Sequence, residues 1–240
     1  MAVPTDRLAD HVAVMDSQWL ARLRGRVGEL LPPETPAPAV TLNLPLSAFI
    51  GALVLLSVVS AFISIRPVAD MGTLILGGGV LFAGSYCSVR QAGGVDILWT
   101  AGLFVHLALA FTFGPLGALV AAGAHAAALA ARVHPGWVRT VFNLSDFFLA
   151  DLAAWFVFSH ISGVNQGVLV NALAATLAGA VQNIVNLGLL SVVIQIASGG
   201  KVSARKAFIK GVPAHILYNI GYGWAAYGAV LLHQIAGTVG

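Results

Sequence analysis

Two aspartates lie inside a long apolar segment, where a carboxylate is least expected. Asp146 and Asp151 both fall in the apolar run from 140 to 161. A charge near the centre of a bilayer costs roughly 3 kcal/mol on insertion scales, so each is expected to face a bundle interior or a water-filled cavity. Five residues of α-helix turn through about 500°, which leaves the carboxylates about 140° apart. We therefore do not expect the two carboxylates to hold one ligand together. Each is expected to form either a proton or cation site or a hydrogen bond with a neighbouring helix.

Further polar side chains occur at helical spacing in neighbouring apolar runs. Asn143 precedes Asp146 by three residues, and Gln182 and Asn186 share one face of the run from 167 to 197. In the last run, positions 215, 218, 219 and 222 follow the i, i+3, i+4, i+7 pattern of one helix face. Interhelical amide hydrogen bonds would explain these stripes without a ligand. The alternative is a polar cavity lined by Asn143, Asp146, Asp151, Asn186, His215, Tyr218 and Asn219.

The histidines and the cysteine indicate no metal site. His106, His125 and His215 lie in separate apolar runs, so no two have ligand spacing on one helix, and no carboxylate accompanies them locally. Each is expected to form a hydrogen bond with a neighbouring helix. Cys87 is the only cysteine, which excludes an internal disulfide and a cysteine-based metal site. No metal and no cofactor are expected.

Signatures of soluble enzymes are missing from the sequence. The segment from Gly93 to Ile97 superficially resembles the diguanylate cyclase signature, but it lacks the adjacent acidic pair. The sequence contains no His-Asp dipeptide, no P-loop and no nucleophile elbow. We therefore expect no catalytic residues and no enzyme activity.

The composition indicates that lipid is the solvent for much of the chain. Of the 240 residues, 58% are hydrophobic and only 9% are charged, and the mean hydropathy is +0.89. So few charges could not cover the surface of a soluble protein of this size. The basic residues lie in short clusters between apolar runs rather than in one patch, so nucleic acid is not an expected partner.

The apolar runs predict an all-α polytopic transmembrane bundle of about seven spans. Each run is separated from the next by Gly, Pro or Ser, and the weakest separator is Gly114-Pro115, where one re-entrant element could replace two spans. The predicted spans cover residues 43–65, 69–89, 95–113, 115–133, 140–161, 167–197 and 212–235.

The basic residues predict the orientation of the chain. With seven spans and a cytoplasmic N-terminus, eleven of the twelve basic residues lie inside and only Arg66 lies outside, as the positive-inside rule requires. The expected location is the inner membrane of a cell, with the cluster from Lys201 to Lys210 in a cytoplasmic loop.

The first 41 residues are expected to form a separate cytoplasmic region, followed by the bundle from 42 to 240. Apolar residues recur at helical spacing from Asp16 to Leu31, which predicts an amphipathic helix on the inner membrane surface or against a soluble domain. Four prolines between 32 and 38 predict a stiff linker. Residues 1–41 contain no apolar segment typical of a secretory signal.

Two stretches resemble a family of bacterial signalling proteins. The segment from Trp137 to Leu144, and the pattern of Asn186 followed by a basic loop and Pro213-Ala214-His215, are similar to the multi-pass membrane region of proteins that carry an HD-GYP phosphohydrolase or a GGDEF cyclase domain. The similarity covers roughly residues 100–235, and its motifs are loose. It implies a membrane sensor whose effector domain is absent from this chain. Gly114-Pro115-Leu116-Gly117-Ala118 resembles the substrate-binding components of energy-coupling-factor vitamin transporters.

These observations leave three functional hypotheses. The leading one is a sensory input module of a cyclic-dinucleotide signalling protein, which passes a shift in helix packing to a cytoplasmic effector. The second is a component that transports a small solute through the same cavity. A structural assembly subunit is the third. The expected partners are the lipid bilayer, an effector domain or subunit at the Lys201–Lys210 loop, and other copies of the chain.

Overall fold

All regular elements in the described residues are α-helices. The computed structural model describes residues 42–86, 102–133, 136–163 and 166–239, so the predicted amphipathic helix and linker in residues 1–41 lie outside it. The predicted all-α bundle is confirmed for the described part of the chain. Its helices are α1 (Leu44–Ser64), α2 (Met71–Tyr86), α3 (Leu103–Val133), α4 (Trp137–Ile161), α5 (Val168–Ala197) and α6 (Ala204–Val239).

The predicted count of about seven spans was too high. Among the described residues, four helices are long and apolar enough to cross a membrane, namely α1, the 103–131 part of α3, α4 and α5. Helix α2 is apolar but has only 16 residues, which corresponds to a rise of about 24 Å against a hydrocarbon thickness of about 30 Å. The predicted span 115–133 and the described part of the predicted span 95–113 both belong to α3, which is one helix with a break at Gly114.

Helix α3 reverses direction at Gly114 and forms a hairpin. Gly114 has φ 63° and ψ −144°, a conformation essentially restricted to glycine, and Pro115 follows at the first position of the second arm, where its missing N–H costs nothing. Beyond the turn, Gly117 packs so closely on the first arm that a Cβ atom there would collide with the backbone oxygen of Leu109. The Gly114-Pro115 separator is therefore a true reversal of the chain.

The two arms of this hairpin differ in length. The first arm, 103–113, rises only about 16 Å, and the second, 115–133, rises about 28 Å. The short arm is enclosed by protein: Leu107 and Phe111 belong to a buried cluster with side chains of α4, α5 and α6. Phe111 stacks on Phe158 of α4 with ring centroids 4.0 Å apart. The described part of this arm is therefore surrounded by protein rather than by lipid.

Capping residues set the starts of the first two helices. Asn43 accepts a hydrogen bond from the Leu46 amide at 2.9 Å, and a proline lies in the first turn of α1. Asp70 plays the same part for α2 by accepting from the Thr73 amide at 2.9 Å. Hydrogen bonds from Thr73 hold the pKa of Asp70 below its usual value of 3.8.

The helices alternate in direction between two ends of the bundle. At one end, here called the Arg139 end, a cavity is lined by residues near the start of α1, the start of α4 and the end of α5. At the opposite end, here called the Gly114 end, the hairpin turn lies beside Ser64, Arg66 and Trp155. Helix α6 runs against α5, since Gly211 lies beside Leu187 and Trp224 donates to Thr176 at 2.6 Å.

Basic side chains are unequally shared between these ends. Arg139 lines the cavity at its own end, and the α5–α6 connection with Lys201 follows directly after Ala197 in that cavity wall. Arg66 lies at the Gly114 end. The predicted Lys201–Lys210 loop is shorter than expected: residues 198–203 connect the helices, and Arg205, Lys206 and Lys210 lie in the first turns of α6.

Candidate functional site

The centre of the bundle contains a fully buried carboxylate with two hydrogen-bond partners. Asp151 of α4 and His106 of the short α3 arm both have 0% exposure. His106 Nδ1 lies 2.6 Å from Asp151 Oδ2, and Gln182 of α5 donates to Asp151 Oδ1 at 3.3 Å. These bonds join three helices through one side chain. In an apolar interior, such groups are stable only when they are paired with one another.

The hydrogen-bonded chain continues from His106 toward α2. His106 Nε2 lies 3.2 Å from Nδ1 of His125, which is in the second arm of α3. The same His125 Nδ1 lies 3.2 Å from the hydroxyl oxygen of Ser85 in α2. We refer to Ser85, His125, His106, Asp151 and Gln182 as the buried relay. All five are almost fully buried, and they connect α2, both arms of α3, α4 and α5.

The relay lies near the middle of the bundle and is covered by an aromatic ring. His106 is about 12 Å from the Gly114 turn at 1.5 Å per residue, close to half of a hydrocarbon core of about 30 Å. The Phe147 ring packs on both imidazoles, with centroids 5.2 Å from His106 and 4.3 Å from His125. Phe147 therefore links the position of α4 to the orientation of both histidines.

A second polar pair lies one turn away on α4. Asn186 of α5 donates to Asp146 Oδ2 at 3.3 Å, and Asp146 is 3% exposed. Its other oxygen, Oδ1, is buried and has no hydrogen-bond partner among the residues that the structure describes, and the same holds for the amide nitrogen of Asn183. A buried acceptor and a buried donor left unpaired each cost free energy, and such atoms mark positions for water or an ion.

The structure locates four residues of the predicted polar lining. Asp146 and Asn186 contact each other as a pair, and Asp151 contacts other residues. Asn143 lies in the wall of the 290 Å³ cavity at the Arg139 end, near the start of α4. His215, Tyr218 and Asn219 are in α6, but their side chains lie outside what the structure describes.

The relay residues that were not included in the predicted polar lining are His106, His125, Gln182 and Ser85. Both histidines were expected to form a hydrogen bond with a neighbouring element, and both do so. They were not expected to share one chain with Asp151, because a carboxylate was sought only nearby in sequence. The sequence feature that could have indicated this contact is Gly114-Pro115. A reversal of the chain there brings residues before it, such as His106, next to residues after it, such as His125.

The arrangement is a linear chain rather than a metal-binding cluster. In the described parts of the chain, no group of three or more His, Cys, Asp or Glu side chains is placed to hold a metal ion. What the relay can do is hold, lose or redistribute a proton between two imidazoles and a carboxylate. The position of the proton decides which hydrogen bonds of the relay can form, and therefore which helices those bonds connect.

Comparison with known proteins does not assign this chain to a family. No family model matches it, and neither a curated protein nor a solved structure matches it.

Proposed function

We propose that this membrane-embedded helical protein is the sensory input module of a bacterial signalling protein of the cyclic-dinucleotide type. The buried relay is the element that switches. In this proposal the protein lies in the inner membrane of the cell. Its Arg139 end and its N-terminus both face the cytoplasm. The α5–α6 connection passes the change to an effector.

The single observation that carries this proposal is the position of His125 Nδ1. It lies 3.2 Å from His106 Nε2 and 3.2 Å from Ser85 Oγ, but an imidazole nitrogen either donates one hydrogen or accepts one. When His125 Nδ1–H donates to His106 Nε2, the bond joins the two arms of α3, and when it donates to the Ser85 oxygen, the bond joins the second arm to α2. When His125 Nδ1 accepts, the donor is the Ser85 hydroxyl, or His106 Nε2–H if His106 carries a second proton.

These arrangements tie the second arm of α3 either to α2 or to the first arm. Two discrete packings that exchange through one proton or one hydrogen bond are the requirement for a switch. The relay reaches α5 through Gln182, and α5 leads directly to the α5–α6 connection at the Arg139 end. A change in the relay is therefore transmitted along α5, a rigid element, to the cytoplasmic surface.

Substituting Asp151 with Asn tests this transmission. The change keeps the size of the side chain and replaces one of the two carboxyl oxygens that contact His106 and Gln182 with an amide nitrogen. We expect the distance between spin labels at Trp137→Cys and Arg205→Cys, both exposed, to shift by about 1–2 Å or to become bimodal in proteoliposomes. The labels are placed in a Cys87→Ser background, since Cys87 is the only native cysteine.

The matched control is Ser159→Ala on the exposed side of the same helix, for which the label distance should stay unchanged. An unchanged distance in a folded Asp151→Asn protein would assign the relay to packing alone and overturn the input module.

A second candidate, transport of a proton or small cation, is favoured by Asp146 Oδ1, a buried acceptor with no hydrogen-bond partner among the described residues. The transport candidate and the sensory input module predict different experimental results. Uptake into proteoliposomes that disappears in Asp146→Asn, with label distances that do not respond to Asp151→Asn, would establish transport in place of sensing.

A further inference from the structure

A large cavity lies between the second half of α1 and the first half of α4. Its volume is about 720 Å³, and it is bounded by the second half of α1, by α4 and by one residue of the α3 hairpin. Only 17% of the apolar segment of α1 is buried, against 44% for α4. The cavity volume falls within the range of about 300–1,000 Å³ typical of sites for small molecules.

The lining of this cavity restricts what can occupy it. None of its lining residues is charged, and its only polar side chains are Ser57 of α1 and Ser145 of α4. The Ser57 hydroxyl is buried and has no hydrogen-bond partner within the described protein. A buried hydroxyl without a partner is costly, and an acceptor oxygen on a bound molecule would remove that cost. An anionic headgroup would find no counter-charge among these side chains.

We propose that the α1–α4 cavity binds a neutral, lipid-soluble molecule that carries an acceptor oxygen, and that Ser57 donates a hydrogen bond to it. The proposal deepens the input module, on which it rests, by naming the class of cue. The molecule enters from the bilayer, because α1 is the outermost and least buried of the four spanning helices.

Helix α4 connects this cavity to the buried relay. Leu144, Ser145 and Phe148 form part of the cavity wall, and the intervening Phe147 packs on both relay histidines. Phe148 is 1% exposed and also packs on Ala118 and Ala122 of the α3 hairpin. A molecule that fills the cavity presses on the Phe148 side chain, which has no free space behind it. The resulting displacement of α4 moves Phe147 against the imidazoles.

Photolabelling of the full chain in lipid vesicles tests the cavity. The probe is methyl palmitate with a diazirine in its chain, compared with the matching palmitate and the matching alkane. We expect saturable labelling of residues 54–65 and 141–148 by the ester, displaced by excess methyl palmitate. The alkane, which has no acceptor, and palmitate, which is charged, should label these segments weakly and without saturation.

Two variants and one control separate the cavity from the general lipid surface. Ala61→Trp fills the cavity from α1 and should lower saturable labelling at least tenfold. Ser57→Ala leaves the cavity open and should weaken ester binding roughly five-fold, the effect of one hydrogen bond. Ala52→Trp, on the exposed side of α1, should change nothing. If Ala61→Trp does not fold, Ser57→Ala still decides the outcome.

Labelling that does not saturate, or that is equal for ester and alkane and unaffected by both variants, means bulk lipid contact only and overturns the site. Preferential labelling by palmitate also overturns it, in favour of an anionic ligand. Failure here is distinguishable from failure of the input module, because the label distances in Asp151→Asn need no ligand.

Discussion

Asp151→Leu is expected to lower the free energy of unfolding by about 3–5 kcal/mol, the loss that follows when one partner of a buried polar pair is removed. The substitution leaves His106 Nδ1 and the Gln182 amide without their acceptor, in a part of the bundle where exposure is 0–1%. Denaturant titration of the purified protein in mixed micelles, followed by helical circular dichroism, measures this loss.

The control for this prediction replaces both partners. In His106→Leu combined with Asp151→Leu, the strongest contact of the relay is removed from both sides, and an apolar pair of similar size can be nearly neutral. We expect the double variant to recover the part of the loss that comes from the unpaired His106, while the Gln182 amide still lacks its acceptor. A single-variant loss below about 1 kcal/mol would show that the relay contributes no more than an ordinary hydrogen bond between membrane helices.

Gly117→Ala is expected to destabilise the hairpin by about 1–3 kcal/mol, because the added Cβ would collide with the backbone oxygen of Leu109. Backbone cannot move aside as a flexible side chain can, so the two arms must separate. Their separation would also pull His106 away from His125. The same unfolding titration measures the effect, and the distance between the labels at Trp137→Cys and Arg205→Cys should respond as it does in Asp151→Asn.

The matched control is Gly123→Ala in the same arm, where a Cβ atom would meet nothing within 4 Å. Alanine has a higher helix propensity than glycine, so this variant is expected to gain up to about 1 kcal/mol. Opposite signs for two identical substitutions six residues apart would establish the tight reversal at Gly114. Equal small effects would mean that the arms are not in close contact.

Composition and breaker residues predicted much of the fold. Long apolar runs between Gly and Pro separators predicted the helices, and the ends of α4 and α5 lie within a few residues of their predicted positions. The number of spans was overestimated because length along the sequence does not show whether a helix is surrounded by lipid or by protein. The first α3 arm is short and enclosed, and its sequence is as apolar as that of a spanning helix.

The site was predicted in part for a related reason. Helical periodicity places residues on a face, so the sequence indicated that Gln182 and Asn186 share one face of α5, and both donate hydrogen bonds to aspartates of α4. Periodicity cannot show which faces of different helices meet. The joining of His106, His125 and Asp151 depends on the hairpin reversal and on the packing of α4 against it, and neither is encoded within any one segment.

Nitrogen NMR of isotope-labelled histidine in proteoliposomes tests the switching relay most directly, because it observes the protons on the imidazoles. We predict two populations of His125 Nδ1, one protonated and one not. In Ser85→Ala, where one donor to that nitrogen is removed, we predict a shift toward the protonated form. A single His125 state that is unchanged by Ser85→Ala would contradict the switching relay.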